Sequence, residues 1–123
     1  MIDEKLTEQI IGAAIEVHKH WGPGLYEDIY ERSLRHELAL RGIACENQVE
    51  LPLVYKGERV GDSLRLDVFV EKKVVVEIKA VSGLTPIHEA QLLTYMKLTK
   101  ARVGLLINFN VAVLTKGLKR FVL

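Results

Sequence analysis

One hairpin, at residues 64–80, constrains the fold of this chain more than any other segment. Its arms, LRLDVFV and VVVEIKA, are rich in β-branched residues and are joined by a charged turn, as expected for paired strands. A turn centred on Lys72 brings three apolar pairs onto one face: Val70 with Val74, Val68 with Val76, and Leu66 with Ile78. A slip of one residue would mix apolar and charged side chains, so the pattern favours this register.

The same register gathers charged side chains on the other face of the hairpin. Asp67 then faces Glu77 and Arg65 faces Lys79, with directly opposed Cβ atoms about 4.5–5.5 Å apart. Two carboxylates beside a lysine can hold a divalent cation next to an anionic substrate. An ordinary ion pair between Lys79 and either acid, on a solvated sheet face, is the alternative that the hairpin sequence leaves open.

The composition is that of one globular domain covering residues 1–123. Apolar residues make up 49% of the chain and charged residues 27%, which excludes a disordered chain. The net charge is +1, so binding of a polyanion would depend on local basic patches. Cys45 is the one cysteine, which excludes an internal disulfide and a cysteine-ligated cluster.

The sequence also bears on the compartment in which the protein works. No apolar run reaches the ~20 residues that are needed to cross a bilayer. The first ten residues, MIDEKLTEQI, lack the character of a signal peptide. We therefore expect a soluble, cytoplasmic protein without membrane contact.

Two amphipathic helices are predicted in the first third of the chain, at residues 5–19 and at about 26–41. The second helix carries four residues on one face: Glu27, Tyr30, Leu34 and Leu38. Because the other three pack inward, Glu27 either belongs to a site beneath the helix or merely favours the positive helix N-terminus. His18, near the end of the first helix, either interacts with the helix dipole or packs against neighbouring residues, or it contacts a substrate.

The remainder of the chain predicts strands around one further helix. Strands are expected at residues 44–55, from about 59 through the first hairpin arm, in the second arm, at 103–109 and at 111–114. The run VGLLINF indicates a strand buried on both faces that lies parallel to its neighbour. The tail residues Lys116, Lys119 and Arg120 are expected on a solvated surface. The order α-α-β-β-β-α-β-β predicts an α/β domain with a mixed sheet of four to five strands flanked by helices.

The third helix combines polar side chains on one face. Thr85 and Pro86 begin this helix, which ends near residue 100. Gln91 and Tyr95 are four residues apart, and His88 lies one turn earlier on the same face. Gln91 and Tyr95 either satisfy each other as buried polar groups or orient a phosphate or the hairpin lysine.

Three motifs resemble those of a known nuclease superfamily. Asp67 followed by Glu77-Ile-Lys79 resembles the D…(D/E)xK signature of the PD-(D/E)XK nuclease superfamily. Gln91 and Tyr95, in QLLTY, resemble the QxxxY motif of its RecB-like branch, and GLYEDIY at residues 24–30 is similar to the motif of its GxxExxY family. The motifs occur in the family's order and on the predicted elements, so the resemblance covers nearly the whole chain. The proline of the literal signature is replaced by Leu66.

The resemblance implies a restriction-endonuclease-like core and a metal-dependent nuclease that hydrolyses phosphodiester bonds of nucleic acid, with DNA expected before RNA. Asp67 and Glu77 would bind Mg²⁺ or Mn²⁺, with Glu27 as a further acidic ligand, directly or through water. Lys79 would position or deprotonate the attacking water, and Gln91 and Tyr95 would support the site from the third helix. Further candidates for contacting the substrate or supporting the site are four residues: Tyr30, His88, Arg65 and His18.

A different class of function remains open for the same fold. A catalytically inactive module that binds nucleic acid or a protein partner would keep the fold without cutting. With 123 residues, the chain has no separate recognition domain, so self-association or a protein partner could help it to hold a substrate. Metal-dependent cleavage separates the two classes.

Overall fold

The computed structural model describes residues 2–123, which form three helices, seven strands and one short 3₁₀ turn. The helices are α1 (Glu4–Trp21), α2 (Glu27–Leu40) and α3 (Pro86–Thr99). The strands are β1 (Cys45–Leu51), β2 (Val54–Tyr55), β3 (Glu58–Arg59), β4 (Leu64–Val70), β5 (Val74–Lys79), β6 (Val103–Asn108) and β7 (Leu118–Val122). The predicted α/β class is confirmed. Within the described residues, no helix is both long enough and apolar enough to span a membrane.

Five strands form one mixed sheet in the order β1-β4-β5-β6-β7. β5 and β6 are parallel and are connected through α3, whereas the other neighbours are antiparallel. Every residue of β6 is buried, which confirms the prediction from its continuous apolar run. β2 and β3 form a separate two-stranded ribbon.

Apolar clusters cover both faces of this sheet. On one face, residues of α1 and α2 such as Ile10 and Leu34 pack on Val68, Val76 and their neighbours. On the other face, α3 packs on β-strand residues that include Val75 and Leu106. A layer of helix therefore lies on each side of the sheet, which limits solvent access to polar side chains at its centre.

The register of the β4–β5 hairpin is confirmed close to the turn. Val68 pairs with Val76 and Val70 pairs with Val74. The prediction that Leu66 shares their face is wrong, because Leu66 packs in the cluster beneath α3. The regular ladder is interrupted at this point, because Gln48 of β1 has a φ of 48° and the Gln48–Asp67 pair is left out of the β1–β4 register.

Two other predicted strands have different limits. The expected strand at 44–55 ends as β1 at Leu51, directly before Pro52, which has no N–H to donate to a ladder. The strand expected at 111–114 is wrong, since this region leads into a 3₁₀ turn at Leu114–Gly117. The last strand is instead β7, which contains two of the residues expected on a solvated tail, Lys119 and Arg120.

Candidate active site

Asp67 of β4 and Glu77 of β5 form an acidic pair at the centre of the sheet. Glu77 Oε2 accepts a hydrogen bond from the Asp67 backbone N–H at 2.7 Å, and Asp67 Oδ2 accepts one from the Ile78 N–H at 2.8 Å. The backbone pairing of β4 with β5 ends at Val68 and Val76, and these side-chain hydrogen bonds connect the two strands beyond that pair. Each carboxylate is thus fixed by the neighbouring strand through one oxygen, and its other oxygen is not engaged by the backbone.

Burial makes the acidic pair costly to ionise. Glu77 is only 3% exposed, and desolvation followed by the charge of Asp67 raises its pKa to about 8. Desolvation also raises the pKa of Asp67, although the Ile78 N–H, Lys79 and Gln48 oppose this change. Two neighbouring carboxylates, one buried and one half-buried, disfavour each other's charged form, so this position favours a positively charged ligand.

Lys79 lies two residues after Glu77 at the end of β5 and is half-buried. Its charge lowers the pKa of both members of the acidic pair. In residues 2–123, however, no carboxylate oxygen comes within 4.0 Å of its ammonium group, so the alternative of an ordinary ion pair is not formed. The ammonium group is therefore near enough to affect both acids without forming an ion pair with either.

The segment after Lys79 is held by a buried asparagine that the sequence did not single out. Asn108, at the end of β6, is 2% exposed. Its Oδ1 accepts a hydrogen bond from the Val81 N–H at 3.1 Å, and its Nδ2 donates to the Val81 carbonyl at 3.0 Å. The Lys79 carbonyl accepts a hydrogen bond from the Phe109 N–H at 2.9 Å. These bonds fix the backbone that carries the lysine.

α2 brings Glu27 towards the acidic pair. Glu27 is exposed at the first residue of the helix, and its charge contributes to the raised pKa of Glu77. Tyr30 is fully buried, its hydroxyl donates to the Gly22 carbonyl at 2.6 Å, and its ring stacks on Phe109 with a centroid distance of 4.6 Å. Tyr30 thus anchors the loop before α2 and positions Glu27.

Two polar residues that the sequence reasoning missed extend the site. The Glu31 side chain, one turn after Glu27, is 12% exposed, and its pKa is raised by desolvation and by the charge of Asp67. Gln48 Nε2 donates to Glu31 Oε1 at 2.7 Å and to Asp67 Oδ1 at 3.4 Å. One amide therefore bridges two carboxylates from different elements. The four-residue spacing from Glu27 could have indicated Glu31 from the sequence, whereas no sequence pattern indicated Gln48.

α3 contributes Tyr95, which packs in the apolar cluster on the same side of the sheet as Val75. Desolvation and the charges of Glu77 and Asp67 raise the pKa of Tyr95 to about 12. Gln91 lies one turn earlier and is half-buried. Within the described part of the chain, Gln91 and Tyr95 are not hydrogen-bonded to each other, so they do not satisfy each other as a buried pair.

The other three sequence candidates are engaged elsewhere. His88 Nδ1 accepts a hydrogen bond from the Thr85 N–H at 3.1 Å and so completes the N-terminal cap of α3. His18 Nε2 lies 2.8 Å from the Val111 carbonyl, to which it donates. The Arg65 guanidinium pairs with Glu50 across β4 and β1 at 3.1 Å. A role for these residues in contacting a substrate stays a prediction.

Comparison with known proteins supports the nuclease resemblance. Residues 4–121 match the family model of the PD-(D/E)XK nuclease superfamily. The chain is also similar to the solved structure described as "Crystal structure of SSO0001", with 26% sequence identity and a TM-score of 0.53. That match covers 76% of this chain and 47% of the other, so this chain spans about half the length of that protein. Among curated proteins, none matches.

Proposed function

From the membership of this chain in the PD-(D/E)XK nuclease superfamily, we propose that it is a metal-dependent nuclease that hydrolyses phosphodiester bonds, with DNA as the favoured substrate. The observation that carries this proposal is the acidic pair: Glu77 is buried, Asp67 is half-buried, and reciprocal hydrogen bonds with the backbone fix both carboxylates. Beside it lies a lysine without a carboxylate within 4.0 Å among the described residues. This arrangement places two carboxyl ligands for a metal ion near one ammonium group.

The donor set fits Mg²⁺ or Mn²⁺. Magnesium is usually bound by one or two carboxylates together with water and substrate phosphate. Asp67 and Glu77 each have one oxygen outside the backbone hydrogen bonds, and Glu27 could complete the set through water. When bound, such an ion lowers the pKa of a water molecule and stabilises charge on phosphoryl oxygens.

The chain's own residues supply the remaining requirements. The ammonium group of Lys79 offsets negative charge on the phosphate and orients the attacking water. With a pKa near 12, Tyr95 keeps its proton over the working pH range, so its hydroxyl is a hydrogen-bond donor next to the acids. Gln91 supports the site from the preceding turn of α3.

A catalytically inactive module that binds nucleic acid or a protein partner is the second candidate. One observation favours it: within residues 2–123, no group of three or more histidine, cysteine, aspartate or glutamate side chains is arranged to hold a metal ion. An inactive member of the superfamily could keep the acidic pair as a structural bridge between β4 and β5.

Incubation of the protein with labelled DNA and RNA, single- and double-stranded, tests the proposal. We expect cleavage in Mg²⁺ or Mn²⁺ and none in EDTA, with DNA cut faster than RNA. Gel electrophoresis of the products measures both the rate and the preference. Metal-free binding without cleavage of any substrate would favour the inactive module instead.

Removal of the bridging amide is expected to weaken metal binding. Gln48→Gly keeps a residue that tolerates the φ of 48° but removes the hydrogen bonds to Glu31 and Asp67. Because residues that orient metal ligands typically contribute a factor of about 10 or more, we expect Mn²⁺ affinity to fall about tenfold in calorimetry. Asn47→Ala, the exposed neighbour in β1, is the control and should bind Mn²⁺ normally. Equal affinity in both variants would show that Gln48 does not position Asp67.

A further inference from the structure

An open cavity of about 510 Å³ lies between α2 and the start of β1. Three basic side chains line it, and none of its lining residues is acidic. The lining residues are Arg32, Arg35 and His36 of α2, with Ala39, Ile43, Ala44 and Cys45. We call it the basic cavity.

The basic cavity is connected to the acidic pair through one chain of polar contacts. Arg35 Nη1 lies 3.9 Å from Glu31 Oε2, and Glu31 is bridged by Gln48 to Asp67. Along β1, Gln48 and Cys45 are three residues apart, a distance of about 10 Å in an extended strand. The basic cavity therefore begins close to the acidic pair but is separate from it.

The lining of this cavity is more basic than the chain as a whole. The whole protein has 17 lysine and arginine residues against 16 acids, so it has no general positive field. Arg32 and His36 are exposed and have no ion pair or hydrogen bond through their side chains in residues 2–123. A neighbouring cavity that shares Ala44 and Cys45 is lined by Glu46 and Glu71 together with Lys72, so the charge on that side is mixed.

We propose that the basic cavity binds the phosphate backbone of a nucleic-acid strand on one side of the acidic pair. Arginine is suited to this role because its guanidinium group contacts phosphate oxygens in pairs. One strand of a duplex rises 3.4 Å per phosphate, so the separation of about 10 Å between Gln48 and Cys45 corresponds to about three nucleotides. Only the identification of the acidic pair as the site of cleavage rests on the proposed function.

Salt-dependent binding tests this assignment without requiring cleavage. The affinity for labelled single-stranded and duplex oligonucleotides, of DNA and of RNA, is measured in EDTA at salt concentrations from about 50 to about 200 mM. Arg32→Gln is expected to weaken binding and to reduce the slope of log K against log salt by about 1. Arg32→Lys should restore the slope, since lysine also contacts phosphate. Lys97→Gln, an exposed residue of α3 on the other side of the sheet, makes the same change in charge and should leave the slope unchanged.

The outcomes separate this inference from the proposed function. The assignment is overturned if the wild-type protein binds none of the oligonucleotides, or if Arg32→Gln and Lys97→Gln have the same effect. Cleavage by the wild-type protein in Mg²⁺ is recorded on the same oligonucleotides. If binding depends on Arg32 but the wild-type protein does not cleave, the role of the basic cavity is supported and the nuclease proposal is excluded. If the wild-type protein cleaves but Arg32→Gln binds normally, the nuclease proposal is supported and the role of the basic cavity is excluded.

Discussion

Replacement of Lys79 with alanine is expected to reduce metal-dependent cleavage by a factor of at least about 100, the usual loss when one group that stabilises transition-state charge is removed. The ammonium group lies at the end of β5, two residues after Glu77, and has no carboxylate within 4.0 Å among the described residues. Its charge therefore remains available to the phosphate. The loss of the ammonium group would also leave the acidic pair with less positive charge nearby, because Lys79 lowers the pKa of both acids.

A matched variant of the same hairpin makes the measurement specific. Lys73 is exposed in the turn between β4 and β5, so Lys73→Ala makes the same change in net charge away from the acidic pair. Single-turnover rates on a labelled oligonucleotide should fall for Lys79→Ala and stay near the wild-type value for Lys73→Ala. Equal rates for the two variants would exclude a role of Lys79 in the chemistry.

Lys79→Arg separates two roles of the lysine. Arginine keeps a positive charge but does not give up its proton in the working pH range. If Lys79 acts by offsetting charge on the phosphate, Lys79→Arg should retain part of the activity. If it removes a proton from water, Lys79→Arg should be as inactive as Lys79→Ala.

The centre of the site could be predicted from the sequence because it depends on a local pattern. Apolar alternation on two adjacent strands specifies one register, and that register brings Asp67 beside Glu77. The same pattern failed at Leu66, because the alternation of side chains holds only while the strand stays regular. At Asp67 and Glu77, carboxylates accept hydrogen bonds from backbone N–H groups of the neighbouring strand, and apolar periodicity carries no information about this change.

Residues whose positions depend on distant partners could not be found in this way. β7 contains Lys119 and Arg120, and its place in the sheet comes from antiparallel pairing with β6. The Lys119 ammonium group is accommodated by Glu89 of α3 at 2.7 Å, a contact between residues thirty positions apart. Glu31 is similar, since its side chain becomes part of the site only because Gln48 of β1 reaches it.

In EDTA, the free energy of unfolding is expected to fall as the pH rises from about 4.5 to about 8, and Glu77→Gln is expected to remove most of this fall. The pKa of Glu77 is raised from 4.5 to about 8 in the folded protein. Between these values, the unfolded chain releases the proton while the folded protein keeps it, so the unfolded state binds fewer protons and stability decreases with pH. The contribution is complete below about pH 4.5 and is lost above about pH 8, with a total of a few kcal/mol. Asp67 and Glu31, whose pKa values are also raised, act in the same direction.

Urea denaturation across this pH range measures the effect. Glu58→Gln, at an exposed position of β3, makes the same chemical change outside the site and should follow the wild-type pH profile. Parallel profiles for wild type and Glu77→Gln would show that Glu77 does not titrate in this range. Addition of Mn²⁺ connects the profile to function, since a metal ion binds the deprotonated carboxylates and stabilises the folded state. Mn²⁺ should therefore restore the stability of the wild-type protein near pH 8 and have little effect on Glu77→Gln, because the amide retains the hydrogen bond to β4 but provides no charge for the ion.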